Sequence, residues 1–244
     1  MELSTSISRA ELASYLFSRL TQVEPLPESL APISAMLGGT AFFPGGCGLW
    51  LDGTNEQFPD IMVVGQDFST LEEHRNMLAG HSTDLDTATW RNFRPFAAEG
   101  GLDLHRCFFT NALMGLRVSG SSLGANPAYK KHNSEFMNRS HAFLEMQVAA
   151  IRPRLILVLG KHAAQIFAAC SAELAVWANS TFDEIDKRSH GLVINARIGT
   201  VTTACVALTH PSFRHANVGR RRYRNMVGHA AELALLREAL NHCN

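Results

Sequence analysis

Paired cysteines are missing from this chain. Its five cysteines (Cys47, Cys107, Cys170, Cys205 and Cys243) stand singly, with no C-x-x-C among them. That argues against a zinc module and against a disulfide framework, and it suits a reducing compartment. Long apolar runs are missing too: no stretch approaches the roughly 20 residues of a membrane helix, and no secretory pattern opens the sequence. The expectation is a cytoplasmic protein without a membrane, nucleoid-associated in a bacterial cell. There is no internal repeat, no low-complexity tract and no G-x-S-x-G elbow, so a serine hydrolase is poorly supported. Net charge is absent as well, with 22 basic and 22 acidic side chains.

What the chain has is length and an uneven distribution of charge. Its 244 residues, 46% hydrophobic, suffice for one large domain with a real core. Residues 1–122 hold 7 Lys+Arg and 14 Asp+Glu, and residues 123–244 hold 15 and 8, so the halves carry −7 and +7. The basic half contains Lys130-Lys131-His132 and a loop with five arginines and no acid: Arg214, Arg220, Arg221, Arg222 and Arg224. A neutral protein can thus own a polyanion-binding face, although a solvated surface would read the same way.

Four short apolar runs punctuate the chain: "PDIMVVGQD", "RCFFTNAL", "PRLILVLGK" and "ACVALTHPS". Each reads as a buried strand of the parallel type. Helical spacing predicts helices over roughly 87–99, 134–151 and 219–240. Ser8-x-x-Glu11 reads as a capping box ahead of Leu12, Leu16 and Leu20. "LVINARIGTVTTACVAL" reads as a hairpin leading into the last strand. Alternating strands and helices predict an α/β fold, three layers α/β/α around a central, mainly parallel four-stranded sheet. One domain is expected over 1–244, with its core at roughly 58–235 and a helical N-terminal extension over 1–45.

Binding sites of such sheets lie beyond the carboxyl ends of the strands. Gln66-Asp67 end the first run, Asn111 the second, Gly160-Lys161 the third and His210-Pro211-Ser212 the fourth. Each has a plainer reading. Asp67 could cap the helix of "STLEEHRNML", Asn111 could hold a turn, and His210 could be a satisfied buried histidine. Together at one sheet edge, beside the arginine-rich loop, they form a candidate site.

"VVGQDFS", "CFFTNAL" and "LTHPSFRHANVGRR", in that order, resemble the uracil-DNA glycosylase superfamily. "FLEMQVAAIRPRLILVLGKHAAQIF" resembles the helix and strand that precede its final motif. The resemblance covers roughly residues 58–235. It implies that Asp67 orients or activates water and offsets charge on the sugar. It implies that Gln66 lies along the base, Asn111 reads the base edge and His210 stabilises the departing base anion. Ser212 would contact a phosphate, and Phe213 or Arg214 would fill the gap left in the DNA stack. Arg220, Arg221 and Arg222 would hold the DNA backbone. The partner would be DNA, the protein a monomer, and neither metal nor cofactor would be needed.

Phe68-Ser69-Thr70 depart from the Pro-Tyr-His of the archetypal first motif, and "NMLAGHSTDL" lacks the aromatic that stacks on the flipped base. Phe68 or Trp90 could substitute, although Trp90 also suits a core. The leading expectation is a monofunctional DNA glycosylase acting on uracil or a related deaminated base. Two others stand beside it: a non-catalytic nucleic-acid-binding protein of the same fold, and an α/β enzyme acting on a small nucleoside or phosphorylated substrate.

Overall fold

The computed structural model describes residues 7–53, 56–121, 124–129 and 133–243. The basic triplet Lys130-Lys131-His132 lies outside the described residues. The strands are β1 (Leu30–Ala31), β2 (Ile61–Gly65), β3 (Cys107–Asn111), β4 (Leu116–Arg117), β5 (Leu155–Leu159), β6 (Leu192–Ile198), β7 (Val201–Leu208), β8 (Arg222–Tyr223) and β9 (Met226–Val227). The helices are α1 (Arg9–Phe17), α2 (Leu71–Leu78), α3 (Ala88–Gly100), α4 (Ser134–Ile151), α5 (Lys161–Phe167), α6 (Phe182–Lys187), α7 (Arg214–Asn217) and α8 (His229–Asn241).

The central sheet has the order β3-β2-β5-β7-β6. The four apolar runs are its four parallel strands, as expected. The sheet has five strands rather than four, because the first arm of the expected hairpin, β6, pairs antiparallel with β7 at the edge. Gly65 lies level with Asn111, and Leu159 with Leu208, so the chain leaves all four parallel strands at a similar height.

Residues alternate between faces with the period of two that a strand imposes. Met62, Val64, Ile156 and Val158 join Leu12 and Leu16 of α1, Phe143, Leu144 and Val148 of α4, and Ile166 and Phe167 of α5. Ile61, Val63, Leu155 and Leu157 join Trp90, Phe93 and Phe96 of α3 and Leu233, Leu236 and Leu240 of α8. These two cores make the three layers. The Ser8/Glu11 capping box forms and starts α1.

One helix starts later than its periodicity suggests. The segment expected to be helical from 219 is a short turn followed by the β8–β9 hairpin, and α8 begins only at His229. Gly228 at φ +68° ends the hairpin, in a left-handed conformation that favours glycine.

Beneath this hairpin lies a buried ion network. The Arg221 side chain, 1% exposed, donates to both Asp186 oxygens at 2.9 and 3.0 Å and to Glu232 at 2.9 Å. Glu232 also pairs with Arg214. Removing one partner of a buried pair strands the other charge without solvent. Arg221→Ala should therefore lower stability by about 3–5 kcal/mol in a urea melt. Arg220→Ala, exposed one residue earlier, should change it by less than about 0.5 kcal/mol.

Candidate active site

A cleft of about 1400 Å³ opens at the carboxyl edge of the sheet. It lies at a switch point: the chain leaves β2 toward β3 on one side and leaves β5 toward β7 on the other. Gln66, Asp67, Phe68, Asn111, His210, Ser212 and Phe213 all line it. The structure thus brings together the residues that the strand ends suggested.

Asp67 does not cap a helix. The N-cap of α2 is Thr70, which forms a capping box with Glu73. Asp67 instead binds a residue that the sequence did not point to. Arg117 of β4 donates through Nε to Oδ2 at 2.5 Å and through Nη2 to Oδ1 at 3.1 Å. Both side chains are nearly inaccessible, at 3% and 6% exposed. Asn126 donates to Oδ2 at 2.6 Å, and Gln66 to Oδ1 at 3.0 Å. A carboxylate has about four acceptor sites, so these four donors saturate it. Arg117 also donates to the carbonyls of Ser121 and Gly124, at 2.7 and 2.9 Å. The signal for it was slight: one arginine inside the apolar stretch "NALMGLRV".

Asn111 is 2% exposed and donates through its amide to the Phe43 carbonyl at 3.0 Å. That bond fixes the orientation of the carboxamide. Its oxygen lies 2.5 Å from where a Cβ on Gly65 would stand, so the strand must carry glycine there. The glycine-rich stretch before β2 supplies the Phe43 carbonyl, and it also places Phe42 in the cleft wall. The Phe42 amide donates to Asp84 at 3.2 Å, and its ring packs against Trp90 and Phe109. Trp90 is fully buried and donates to Asp84 at 2.7 Å, so it belongs to the core and not to the cleft. Phe68 lines the cleft, pressed over Gly45 and edge-on to His74 at 5.7 Å. Phe42 and Phe68 are therefore aromatic walls of the cleft, which Phe182 and Phe213 also line, and Phe42 was missed.

His210 sits on Gly160, where a Cβ would come within 2.9 Å of its own Cβ. Its Nδ1 accepts the Ser212 amide at 3.2 Å. A neutral imidazole that accepts through Nδ1 carries its proton on Nε2, which has no protein partner among the described residues and is left to the cleft. Burial lowers its pKa to about 4, against the smaller opposing pull of the Asp67 charge. His210 is thus a neutral hydrogen-bond donor at ordinary pH. The turn after it is pinned from two sides: Ser212 and Thr89 hydroxyls meet at 2.9 Å, and Asn92 donates to the Pro211 carbonyl at 2.9 Å.

The arginines divide. Arg220 and Arg222 are exposed and line the cleft. Arg221 and Arg214 are buried and paired with carboxylates, unlike their exposed neighbours. Arg221 lies in the network described above. Arg214 is 8% exposed, pairs with Glu232, donates toward His229 and lies 3.9 Å over the Phe96 ring. Its buried carboxylate partner explains why it points inward, whereas Phe213 lines the cleft. Among the described residues no cluster of His, Cys, Asp or Glu could hold a metal ion. No described helix is long and apolar enough to cross a membrane.

A carboxylate, a carboxamide and an imidazole thus meet at the carboxyl edge of a three-layer α/β/α sheet. Residues 53–234 match the family model of the uracil DNA glycosylase superfamily, and the chain belongs to that superfamily. No curated protein matches the sequence.

The lowered pKa has a testable sign. Above pH 6.5 His210 is neutral in folded and unfolded chains alike. As pH falls from 6.5 toward 4, the unfolded chain takes the proton first, and the folded state loses stability. Compared with a His210→Asn variant, the native protein should lose on the order of 2–3 kcal/mol more across that window, read from urea melts at each pH. Gly160→Ala should crowd His210 and strain a backbone at φ +93°, and so should lower the melting temperature.

Proposed function

We propose that this protein hydrolyses the N-glycosidic bond of uracil, or of a related deaminated base, in DNA. The observation that carries the reading is His210 in the cleft lining together with Asn111, Phe42 and Phe68, its Nδ1 taken by the Ser212 amide so that Nε2 is the ring nitrogen left to donate. Breaking the bond leaves an oxocarbenium-like sugar and an anionic base. A donor held at the base oxygen stabilises that anion without having to reorganise. Asn111 would read the base edge, Gln66 would lie along it, and Phe42 or Phe68 would cover its face. The base must leave the duplex first, at a cost of a few kcal/mol. Arg220 and Arg222 would hold the phosphates on either side of it.

Asp67 enters this reading differently from its motif. Its lone pairs are taken by Arg117, Asn126 and Gln66. To accept a proton from water it must first release Gln66 or Asn126, and a substrate in the cleft could draw either amide away. The saturated carboxylate favours a second reading, in which the fold binds DNA without cutting it.

Oligonucleotides carrying one uracil, single-stranded or opposite adenine or guanine, separate the two. Abasic sites that form with the native protein and drop at least about 100-fold with His210→Asn support the glycosylase. Salt-sensitive binding with no abasic site supports the binding protein. Replacing Arg220 and Arg222 by Ala should weaken duplex binding and reduce the slope of log K against log salt by about 1.8. An unchanged slope would take both off the DNA path.

A further inference from the structure

The cleft is larger than one base requires. Its volume of about 1400 Å³ exceeds the roughly 300–1,000 Å³ of a site for a drug-sized ligand, and a nucleobase is smaller still. The sheet order shows where further space lies. Asn111 and Gln66 leave β3 and β2, on one side of the turn that carries His210. On the other side stands β6, antiparallel to β7, with Leu192 opposite Val206. The first residues of β6 therefore lie toward the carboxyl edge. The α6 helix precedes them and brings Phe182 into the cleft lining.

Phe182 is a fixed ring. The Arg221 guanidinium lies over it, 4.5 Å from the centroid. Arg221 is itself held by Asp186, Glu232 and the Ala207 carbonyl of β7, at 2.9–3.0 Å. Asp186 follows Phe182 by one helical turn, so ring and carboxylate meet the guanidinium from the same face of α6. Phe182 packs against the core shared with α4 and α5, yet it stays half-buried in the cleft, where a phenylalanine is more often covered. Cations share the lining: Lys161, Arg220 and Arg222 are all exposed there. The Asp186 carboxylate also accepts the Arg222 amide, at 2.8 Å, which sets Arg222 beside the anchor of the ring. Asp183, also in the lining, is paired with Lys187 at 2.6 Å.

We propose that this end of the cleft is a second base subsite, where the nucleotide next to the excised one stacks its base on Phe182 and sets its phosphate among Lys161, Arg220 and Arg222. The proposal rests on the glycosylase reading and adds a neighbour to its substrate. An aromatic ring in a basic groove holds a strand without regard to sequence, because every base has a flat face and the phosphates follow the cations. A ring already immobilised by Arg221 costs little further ordering when a base meets it. The β2 side of the cleft is built differently. The lining that α2 and the segment before it supply holds Asp67 and Glu73 and no lysine or arginine. The subsite therefore serves one flank of the excised base and not both.

The test uses the full chain and a short single strand with one uracil, in which the nucleotide on either flank carries its base or is a tetrahydrofuran residue that keeps its phosphates. With the native protein, KM for excision should rise roughly tenfold when the base is removed on one flank and change less than about twofold on the other. Phe182→Leu keeps apolar packing and loses the flat ring. It should raise KM roughly tenfold on the full strand, with kcat little changed, and should be indifferent to base removal on either flank. Phe182→Tyr should restore the native pattern, and Phe182→Met serves if Phe182→Leu melts early. A native protein indifferent to base removal on both flanks would overturn the proposal. So would a Phe182→Leu loss of equal size on full and base-free strands, which would mark Phe182 as a support for Arg221 alone. If the native protein cuts nothing, the glycosylase reading fails by itself. Kd for the same strands, read by fluorescence anisotropy, then decides the subsite by the same two comparisons.

Discussion

Glu232 is fully buried and accepts four hydrogen bonds: from the Thr209 amide, the Thr209 hydroxyl, Arg221 and Arg214. A lone carboxylate in that position would be prohibitively desolvated, and two guanidiniums offset its charge. The arrangement is weak evidence for stability as such, because burying three ions costs about as much as pairing them returns. Its consequence is positional. Through this one group α8 holds the end of β7, the turn that carries His210 and the root of the β8–β9 hairpin. The imidazole owes its place to Glu232 below, Gly160 behind and the α3 side chains Thr89 and Asn92 in front.

The opposite wall of the cleft repeats the device. Asp67 also takes four donors, one of its partners again being a buried arginine. Arg117 belongs to β4, which pairs with β1, so the carboxylate is tied to a segment outside the main sheet. Both walls are thus fixed by saturated carboxylates, one beneath the histidine and one in the lining of the cleft. A pocket built this way changes shape little when it is empty, which limits the ordering that a substrate must impose.

The sheet was legible because parallel strands buried on both faces read as uninterrupted apolar runs, and the polar residues ending those runs fell where the topology puts a site. The arginines were not. "GRRRYR" gives no sign that the middle arginine turns inward, since its partners Asp186 and Glu232 lie 35 and 11 residues away. A basic run looks like one surface until the acids that claim its members are placed in space. Arg117 was hidden for the same reason, 50 residues from Asp67 on a strand too short to leave a periodic trace. Helical spacing from 219 to 228 was an accident of composition, overridden where Gly228 permits a hairpin to close.

The pairing of Asp67 bears on which bases such a site could release. A carboxylate whose charge is shared with a guanidinium offers less to a developing sugar cation than a solitary one. The burden then shifts to the departing base, where a neutral donor in a water-poor pocket is worth more than the same bond in water. That donor suffices only for a base whose anion is already delocalised over ring carbonyls, as in uracil and other deaminated bases. A base that keeps its exocyclic amine leaves as a poorer anion and would need a protonated acid. The buried His210, with its pKa near 4, does not supply one at neutral pH. On the glycosylase reading, selectivity for deaminated bases would follow from the electrostatics of the leaving group.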